Sequence, residues 1–380
     1  MWKRVLKRQW HGFVAWVICT NNSQKLPVDF LTPEKILIIR LSSLGDILLT
    51  TPLIRALRKR FPQAQIDFVV KAQFAEVLYN NPYLNQIHTL DPKSNWPSLK
   101  KLKKRLRKEN YDVILDLHKN FRSFFLRNLA GKAQIFGYRK YILKRLLLIY
   151  LGVNLYTKIK PVYLRYQDAA APLGIKEEPF GLDFVVTKEV EHRIIERLKN
   201  KGWVPDKLTI GVAPGAGFFT KRWPAERFAR LADVLIEKLN AQILILGGVD
   251  DEHVSNTMEN AMRFDAMNFS GSRSIQETGA AMKQCTMIVS NDSGLMHLAQ
   301  ALNKPVVAIF GSTTRELGFF PQGENARIVE KPIGCRPCSH IGRDFCPRGH
   351  FRCMKAIPVE EVMEATIKVL KSKKEFGVVN

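Results

Sequence analysis

Residues 36–62 read ILIIRLSSLGDILLTTPLIRALRKRFP, and this stretch decides the fold. Its first four residues form a continuous apolar run, which is typical of a parallel strand covered on both faces. A short polar turn follows at 40–45. Apolar residues then recur at helical spacing until Pro62 closes the segment. The pattern predicts a strand, a tight turn and a helix, the repeating unit of a parallel α/β sheet.

Asp46 lies in the first turn of that predicted helix, just beyond the carboxyl end of the strand. Open α/β sheets bind their ligands at this edge. A carboxylate in this position can hold the helix N-terminus, or it can take a proton from a substrate. The motif alone leaves both roles open.

The same alternation of strands and helices continues along the chain, which predicts an α/β protein with two domains and parallel sheets. We assign the first domain to residues 31–175 and the second to residues 176–380, with a link at 172–182. Residues 1–30 are an extension rich in basic and aromatic side chains. The predicted strands are 36–39, 66–70, 86–90, 113–117, 208–212, 242–246, 287–289 and 305–310. The predicted helices include 73–80, 98–109, 225–239 and a closing helix at 359–371.

The chain of 380 residues carries a formal net charge of +24, and most of that charge lies in residues 1–180. Such a basic half suits a nucleic acid, an anionic membrane surface or a phosphorylated substrate. Because no nucleic-acid-binding motif accompanies the charge, we favour an anionic membrane surface or glycolipid and expect no nucleic acid as partner. No uncharged apolar run of about 18 residues predicts a transmembrane helix. The 1–30 extension suits a helix lying on a membrane, or an unstructured tail.

Residues 136–166 depart from the α/β rhythm and interleave Lys and Arg with Leu and Tyr. This composition suits an amphipathic surface for an amphiphilic substrate. A core helix with solvated charges fits the same composition.

Two loops after predicted strands have the composition of phosphate sites. Residues 213–224, APGAGFFTKRWP, combine glycines, whose backbone amides can approach a phosphate, with the positive charge of Lys221. Residues 289–300, VSNDSGLMHLAQ, run from a strand into a helix whose N-terminal amides can bind a diphosphate. In that second loop Asp292 and His297 could surround the anion, or they could be a helix cap and a structural histidine.

Two further motifs allow more than one interpretation. Residues 246–252, LGGVDDE, place acids after a strand end, where a carboxylate can bind ribose hydroxyls or simply face solvent. The thiols of a second group lie within 19 residues and have the spacing C-x2-C-x7-C-x6-C. Such a group can bind zinc, although this spacing is not a pair of CxxC knuckles, and reduced structural thiols fit as well. These thiols belong to Cys335, Cys338, Cys346 and Cys353.

Three motifs in this order resemble glycosyltransferase family 9, the ADP-heptose:lipopolysaccharide heptosyltransferases of Gram-negative bacteria. They are SSLGD with LLTTP at 42–52, KRWP at 221–224 and DSGLMH at 292–297. The likeness covers residues 34–372. The Cys-rich segment at 335–353 is similar to the heptosyltransferase II branch of that family.

The resemblance implies a GT-B fold, in which two Rossmann-like domains with parallel sheets face each other across a cleft. It implies an inverting transfer that needs neither a metal nor another cofactor, with Asp46 as the general base. Glu252 would bind the donor nucleoside, and Lys119 and Arg122, after the strand at 113–117, are candidates for binding the acceptor. The positions that would bind the donor diphosphate are Lys221, Asp292, Ser293, Gly294 and His297.

The function implied is transfer of a heptose from ADP-heptose to lipid A-Kdo or the inner core of lipopolysaccharide. This places the enzyme in the cytoplasm, peripheral to the anionic inner-membrane surface. A family 9 enzyme with another nucleotide sugar or cell-envelope acceptor is the alternative, and a basic nucleic-acid-binding protein is a remote one.

Overall fold

The protein contains two parallel sheets, each with helices on both faces. A computed structural model describes residues 32–91, 95–129 and 131–375, and the 1–30 extension lies outside them. The first sheet contains β1 (Lys35–Ile39), β2 (Gln65–Lys71), β3 (Gln86–Leu90), β4 (Val113–Asp116) and β5 (Gln134–Gly137). The second contains β6 (Thr209–Ala213), β7 (Gln242–Gly248), β8 (Met267–Ser272), β9 (Met287–Asn291), β10 (Val306–Phe310) and β11 (Ala326–Glu330).

The α-helices alternate with these strands. In the first half they are α1 (Leu44–Leu48), α2 (Thr51–Arg60), α3 (Trp96–Glu109), α4 (Phe121–Arg127), α5 (Ile142–Leu146) and α6 (Val162–Asp168). In the second half they are α7 (Lys188–Lys199), α8 (Ala225–Leu239), α9 (Glu252–Asn260), α10 (Ile275–Lys283), α11 (Gly294–Ala301), α12 (Arg352–Lys355) and α13 (Val359–Glu375).

The first sheet has the strand order β3-β2-β1-β4-β5, with every adjacent pair parallel. The four residues of β1 from Ile36 to Ile39 are fully buried, because helices cover both faces of this central strand. On one face α2 packs on α6, and on the other α3 packs on α4. Such complete burial explains why β1 reads as an uninterrupted apolar run.

The second sheet has the order β8-β7-β6-β9-β10-β11 and is also parallel throughout. In both sheets the strand order reverses direction beside the first strand, so the switch points lie between β1 and β4 and between β6 and β9. Parallel sheets bind ligands at the carboxyl ends of strands at these points. The observed architecture confirms the predicted pair of Rossmann-like domains and gives each one a switch point.

The two halves meet where α1 packs on α11. A Cβ built on Gly45 would lie 2.6 Å from His297 Cδ2, and one built on Gly294 would lie 2.7 Å from Leu44 Cδ2. Two glycines, one from each domain, therefore allow these helices to approach more closely than any other residue would permit.

The segment between the domains is tied to the first one by side chains. Arg55 on α2 forms an ion pair with Asp183 at 2.6 Å, and the Asp183 amide donates to Thr51 Oγ1 at 2.8 Å. Phe184 then packs against Gly279 of α10 in the second domain. The predicted link at 172–182 thus leads directly into a segment that contacts both halves.

Some elements differ from the predictions. The helix expected at 73–80 is a 3-10 helix, Ala72–Leu78, and the closing helix extends to Glu375. The strands β5, β8 and β11 were not predicted, and each lies at an edge of its sheet. Within the part of the chain that the structure describes, no helix combines the length and apolar character needed to cross a membrane.

Candidate active site

A cavity of about 1120 Å³ lies between the carboxyl edges of the two sheets. Its first wall includes Asp46, after β1, and His118, after β4. Its second wall includes Lys221, from the loop after β6, and Asp292, after β9. The cavity therefore joins the switch points of both domains, where a two-part ligand could bridge the sheets.

Asp46 is the carboxylate of the first wall. Its Oδ1 accepts from Arg40 Nη2 at 2.6 Å and from the Tyr166 hydroxyl at 3.2 Å. Its Oδ2 accepts from the Ser43 amide at 3.2 Å and from Ser43 Oγ at 2.8 Å. These four bonds match the acceptor capacity of a carboxylate, so a substrate hydroxyl must displace one donor. Ser43 lines the cavity and is exposed, which makes its hydroxyl the donor most easily displaced.

The charge state of Asp46 follows from its neighbours. Burial raises the pKa of the Asp46 carboxyl, but the Arg40 guanidinium and the hydrogen bonds from Ser43 outweigh it, so the net pKa lies below its ordinary value. Arg40 itself is held by Leu117 O, which accepts from its Nη1 at 2.6 Å at the end of β4. Asp46 is therefore ionised at neutral pH and can accept a proton.

Lys221 and Asp292 form the corresponding pair of the second wall. Lys221 Nζ lies 2.8 Å from Asp292 Oδ2, and Thr313 Oγ1 donates to the same oxygen at 2.5 Å. Lys221 ends the short 3-10 helix Phe219–Lys221, so its ammonium points from the loop toward the strand end of β9. An ammonium held this way can neutralise an anion in the cavity.

The backbone around this pair is fixed by Asn291. Its side-chain amide donates to Pro214 O at 2.7 Å, and its Oδ1 accepts from the Trp223 amide at 3.0 Å. One buried side chain thus holds both ends of the Gly-rich loop against β9. Ser293 is the N-cap of α11, and Gly294 is its first residue. Both line the cavity, so the N-terminal amides of α11 are placed where an anion would bind.

His297 lies between the two walls. Its ring contacts Gly45, it is buried, and its Nδ1 has no hydrogen-bond partner within the described residues. Burial lowers its pKa to about 4, against the opposing influence of Asp292 and Asp46. His297 is therefore a neutral imidazole at neutral pH, and the structure brings it together with Asp46, Lys221 and Asp292.

The amino-acid sequence matches a known protein family. The family model described as Glycosyltransferase family 9 (heptosyltransferase) matches residues 99–347. The chain belongs to glycosyltransferase family 9. It is 29% identical to lipopolysaccharide heptosyltransferase 2 of Escherichia coli K12, over 87% of this chain and 97% of that protein. It is 30% identical to lipooligosaccharide heptosyltransferase 2 of Haemophilus ducreyi, over 74% of this chain and 84% of that protein.

Solved structures of the family share the fold. A family 9 glycosyltransferase from Veillonella parvula aligns with a TM-score of 0.76 and 22% identity, over 92% of this chain and all of that one. An Escherichia coli ADP-heptose lps heptosyltransferase II aligns with a TM-score of 0.70 and 24% identity, over 89% of this chain and 99% of that one. These likenesses confirm the predicted GT-B fold, and with the family assignment the protein is a glycosyltransferase.

Three acidic residues follow β7, and two of them line the cavity. Asp250 and Asp251 line the cavity, whereas Glu252 is exposed at the start of α9 and is not part of its lining. A Cβ on Gly215 would lie 2.0 Å from Asp251 Oδ1, so the Gly-rich loop passes directly against this carboxylate. Nucleoside binding by Glu252 in this family 9 enzyme stays a prediction, and Asp250 and Asp251 are the acids of this loop that line the cavity.

The first wall contains cations that the sequence did not single out. Lys119 donates to Tyr138 O at 3.2 Å, and neither Lys119 nor Arg122 lines the cavity. Arg40 does line it, and Lys140 donates to Lys119 O at 2.9 Å close by. His118 also lines the cavity, but burial lowers its pKa to about 3, so it is a neutral imidazole and not a cation. Burial and the charges of Arg40 and Arg145 lower the pKa of Lys140 to about 8. The resulting positive field suits an anionic acceptor.

The Cys-rich segment supports the Gly-rich loop of this family 9 enzyme. The Thr220 amide donates to Arg343 O at 3.0 Å, and the Arg343 amide donates to Thr220 Oγ1 at 2.8 Å. His340 and Ile341, from the same segment, line the cavity.

The thiols of that segment are free. Cys335 Sγ lies 3.7 Å from His350 Nε2. Within residues 32–91, 95–129 and 131–375, no three His, Cys, Asp or Glu side chains are grouped as metal ligands would be.

Proposed function

We propose that this glycosyltransferase transfers a heptose from ADP-heptose to the inner core of lipopolysaccharide, with inversion at the anomeric carbon. The observation that carries the proposal is the placement of an ionised carboxylate and a lysine–aspartate pair on opposite walls of one cavity. The curated relatives are lipopolysaccharide and lipooligosaccharide heptosyltransferases, and they supply the choice of donor and acceptor.

The reaction would proceed in a single displacement. The acceptor oxygen attacks the anomeric carbon while its proton passes to an oxygen of Asp46. The bond from the anomeric carbon to the diphosphate oxygen breaks, and its electron pair leaves with ADP. Because the transition state resembles an oxocarbenium ion, the hydroxyl proton becomes more acidic as the new bond forms, so a carboxylate of low pKa is a sufficient base.

The leaving diphosphate gains negative charge as this bond breaks. Lys221 and the N-terminal amides of α11, beginning at Ser293 and Gly294, would stabilise that charge in the cavity. Asp292 would keep the Lys221 ammonium in position. Inversion follows if Asp46, as the one base, acts on the face of the sugar opposite the leaving diphosphate, because a single displacement then needs no covalent intermediate.

The acceptor would approach from the first wall. Inner-core lipopolysaccharide bears carboxylates and phosphates, and the cations Arg40 and Lys140 lie on that side. An anionic group near them would offset the mutual repulsion that lowers the pKa of Lys140. Lys119 and Arg122 stay candidates for outer contacts with the acceptor.

An ADP-release assay with ADP-heptose, other nucleotide sugars and a series of truncated lipopolysaccharide acceptors tests the proposal. Wild type should release ADP only when donor and acceptor are both present. Asp46→Asn should lower kcat by a factor of about 100 or more, since the general base is lost. Asp183→Asn is the matched control, because Asp183 is paired with Arg55 outside the cavity. Full activity of Asp46→Asn would exclude Asp46 as the base. If the enzyme turned over only another nucleotide sugar, ADP-heptose would not be the donor.

A further inference from the structure

The described part of the chain has an exposed apolar face next to the acceptor side of the cleft. Helix α5 continues directly into a helical turn at Leu147–Leu151. Leu143, Tyr150 and Leu151 are 69%, 71% and 69% exposed. They are separated by seven and eight residues, so they lie on one side of this helical run. Leu148, on the other side, is buried against the domain.

The apolar face continues into the following loop. Val153, Leu155 and Ile159 are also among the exposed large apolar residues. We call the exposed side chains of residues 143–159 the apolar ridge. A cluster of this size on a protein surface marks a binding site for a partner or a membrane.

The charged residues within the segment that forms the apolar ridge are all of one sign. Residues 139–160 contain no Asp or Glu. Their basic residues are Arg139, Lys140, Lys144, Arg145, Lys158 and Lys160. A helix that combines exposed leucine and tyrosine with flanking lysine and arginine has the composition of a helix that lies in the interface of an anionic membrane.

The ridge lies on the same side of the first domain as the cavity. It follows β5, which pairs with β4 at the edge of the sheet, and so leaves the sheet at its carboxyl end. Burial, and after it the charge of Arg145 in this segment, lowers the pKa of His340, which lines the cavity. Asn154 Nδ2 lies 3.2 Å from Glu316 Oε1 of the second domain. The ridge therefore adjoins the mouth of the cleft.

A second exposed aromatic group lies beyond the same edge. Phe121 is 71% exposed at the start of α4, after β4. It stacks on Trp96, at the start of the strongly basic helix α3, with ring centroids 5.9 Å apart. Lys103 on α3 lies over the neighbouring Phe125 ring, 4.2 Å from its centroid. Aromatic rings beside lysines are the side chains that anchor proteins at the headgroup level of a bilayer.

We infer that the apolar ridge, with Phe121 and Trp96 beside it, docks this enzyme onto an anionic lipid bilayer so that the cleft opens toward the headgroups. The inference rests on the proposed function in one respect: the docked orientation serves the enzyme because the proposed acceptor is anchored in lipid. The occupant is a membrane rather than a protein because the exposed apolar residues lie in a segment whose own charged residues are all basic. A bilayer of anionic phospholipid satisfies both groups at once.

Sedimentation with vesicles tests the inference without any substrate. The full chain is mixed with vesicles of phosphatidylglycerol and phosphatidylcholine, and with vesicles of phosphatidylcholine alone. Wild type should partition strongly onto the anionic vesicles only. The triple variant Leu143→Ser, Tyr150→Ser, Leu151→Ser keeps every charge and should bind at least about tenfold more weakly.

The matched control replaces exposed apolar residues elsewhere. Val204→Ser with Phe345→Ser removes side chains that are also exposed, in the second domain, and should bind like wild type. All three proteins retain residues 1–30, so a difference between them reports on the ridge. Thermal melts verify that each variant is folded, as expected for side chains that are mostly exposed.

Turnover separates this inference from the proposed function. The triple variant should match wild type on a lipid-free acceptor oligosaccharide and be slower on the acceptor embedded in vesicles. Equal vesicle binding by the triple variant and wild type would overturn the docking surface. A wild-type dimer that the triple variant converts to monomer would also overturn it, because the ridge would then bind a second copy. If no acceptor is turned over, the proposed function fails, and the vesicle measurement still decides the docking.

Discussion

Each wall of the cleft contains one carboxylate paired with one cation. The carboxylate is the more accessible partner in the first wall, and the cation is the more accessible partner in the second. In the first wall the Asp46 side chain is 15% exposed and Arg40 is 9% exposed. In the second wall Lys221 is 15% exposed and Asp292 is 5% exposed. The more accessible group is thus an anion on one side and a cation on the other. The same kind of ion pair can supply a base or bind a leaving anion, depending on which partner is buried deeper.

The buried partner of each pair is fixed by an additional hydrogen bond. Arg40 donates to Leu117 O, and Asp292 accepts from Thr313. These anchors hold the inner charge while the outer one faces the substrate. We therefore expect a substitution of the more exposed group to remove its chemical role. A substitution of the more buried group should displace the exposed one or change its charge state.

Removing the outer cation of the second wall should have the largest effect of the three tests below. Lys221→Met keeps the length of the side chain but leaves the departing diphosphate without its ammonium. We expect kcat to fall by a factor of about 100 to 1000, as when a charge-stabilising donor is lost. Affinity for ADP, measured by calorimetry, should also weaken.

The control for that test is Lys283→Met, which breaks an ion pair with Glu191 outside the cavity. It should leave both kcat and ADP affinity close to wild type. Unchanged ADP affinity in Lys221→Met would contradict the assignment of the second wall to the donor diphosphate.

Removing the inner cation of the first wall should have a smaller, pH-dependent effect. Arg40 holds the pKa of Asp46 below its ordinary value, whereas burial raises it. In Arg40→Gln only the burial effect and the hydrogen bonds remain, so the carboxyl pKa rises. Since the base acts only when deprotonated, the acid limb of the kcat/KM profile should move to higher pH. The loss should be about tenfold or more near pH 6 and smaller near pH 8.

Arg55→Gln is the control for that profile, since Arg55 pairs with Asp183 away from the cavity. Its acid limb should coincide with that of wild type. A uniform loss of activity in Arg40→Gln at every pH would mean that Arg40 serves only the structure of the wall.

Removing a single neutral donor should have the smallest effect. Tyr166→Phe deletes the hydroxyl that donates to Asp46 Oδ1 at 3.2 Å, while Arg40 and Ser43 still hold the carboxylate. We expect a change in kcat of no more than about threefold to fivefold, typical of one long neutral hydrogen bond. Steady-state kinetics at saturating donor and acceptor measure it. A loss as large as that of Asp46→Asn would give Tyr166 a direct part in proton transfer.

The sequence could predict those site residues that follow strands buried on both faces. Asp46, Lys221 and Asp292 lie in the segments that follow central strands. Such strands are readable because burial on both faces makes them uniformly apolar. The loops at their carboxyl ends could therefore be placed at ligand sites before any contact was known. The predicted strand at 36–39 and the turn that follows it are confirmed.

Edge strands were harder to predict for a physical reason. β5, β8 and β11 each lie at the edge of a sheet and include residues that are half-buried or exposed. Their short sequences, such as QIFG and MNFSGS, carry few apolar residues and resemble loops. A strand that has a neighbour on only one side does not need the uninterrupted apolar run that identified β1.

The partners of Asp46 were missed for different reasons. Tyr166 lies on α6, 120 residues from Asp46, and no local pattern connects them. Arg40 is the first residue after β1, and an arginine leaving a buried strand beside an acid is a signal that could have been used. The position of Asp251 inside the cavity likewise depends on its contact with Gly215, a contact between two separate loops.

The contact between Gly45 and His297, and between Gly294 and Leu44, has a consequence for motion between the domains. It places the seam of the two halves within one residue of Asp46 and of Ser293. In any rotation about this seam, points near the axis move least and the outer lips of the cleft move most. The mouth would thus widen to admit a bulky ligand while the distance between Asp46 and the N-terminus of α11 stays nearly constant. Opening for substrate and alignment for chemistry would then be mechanically independent.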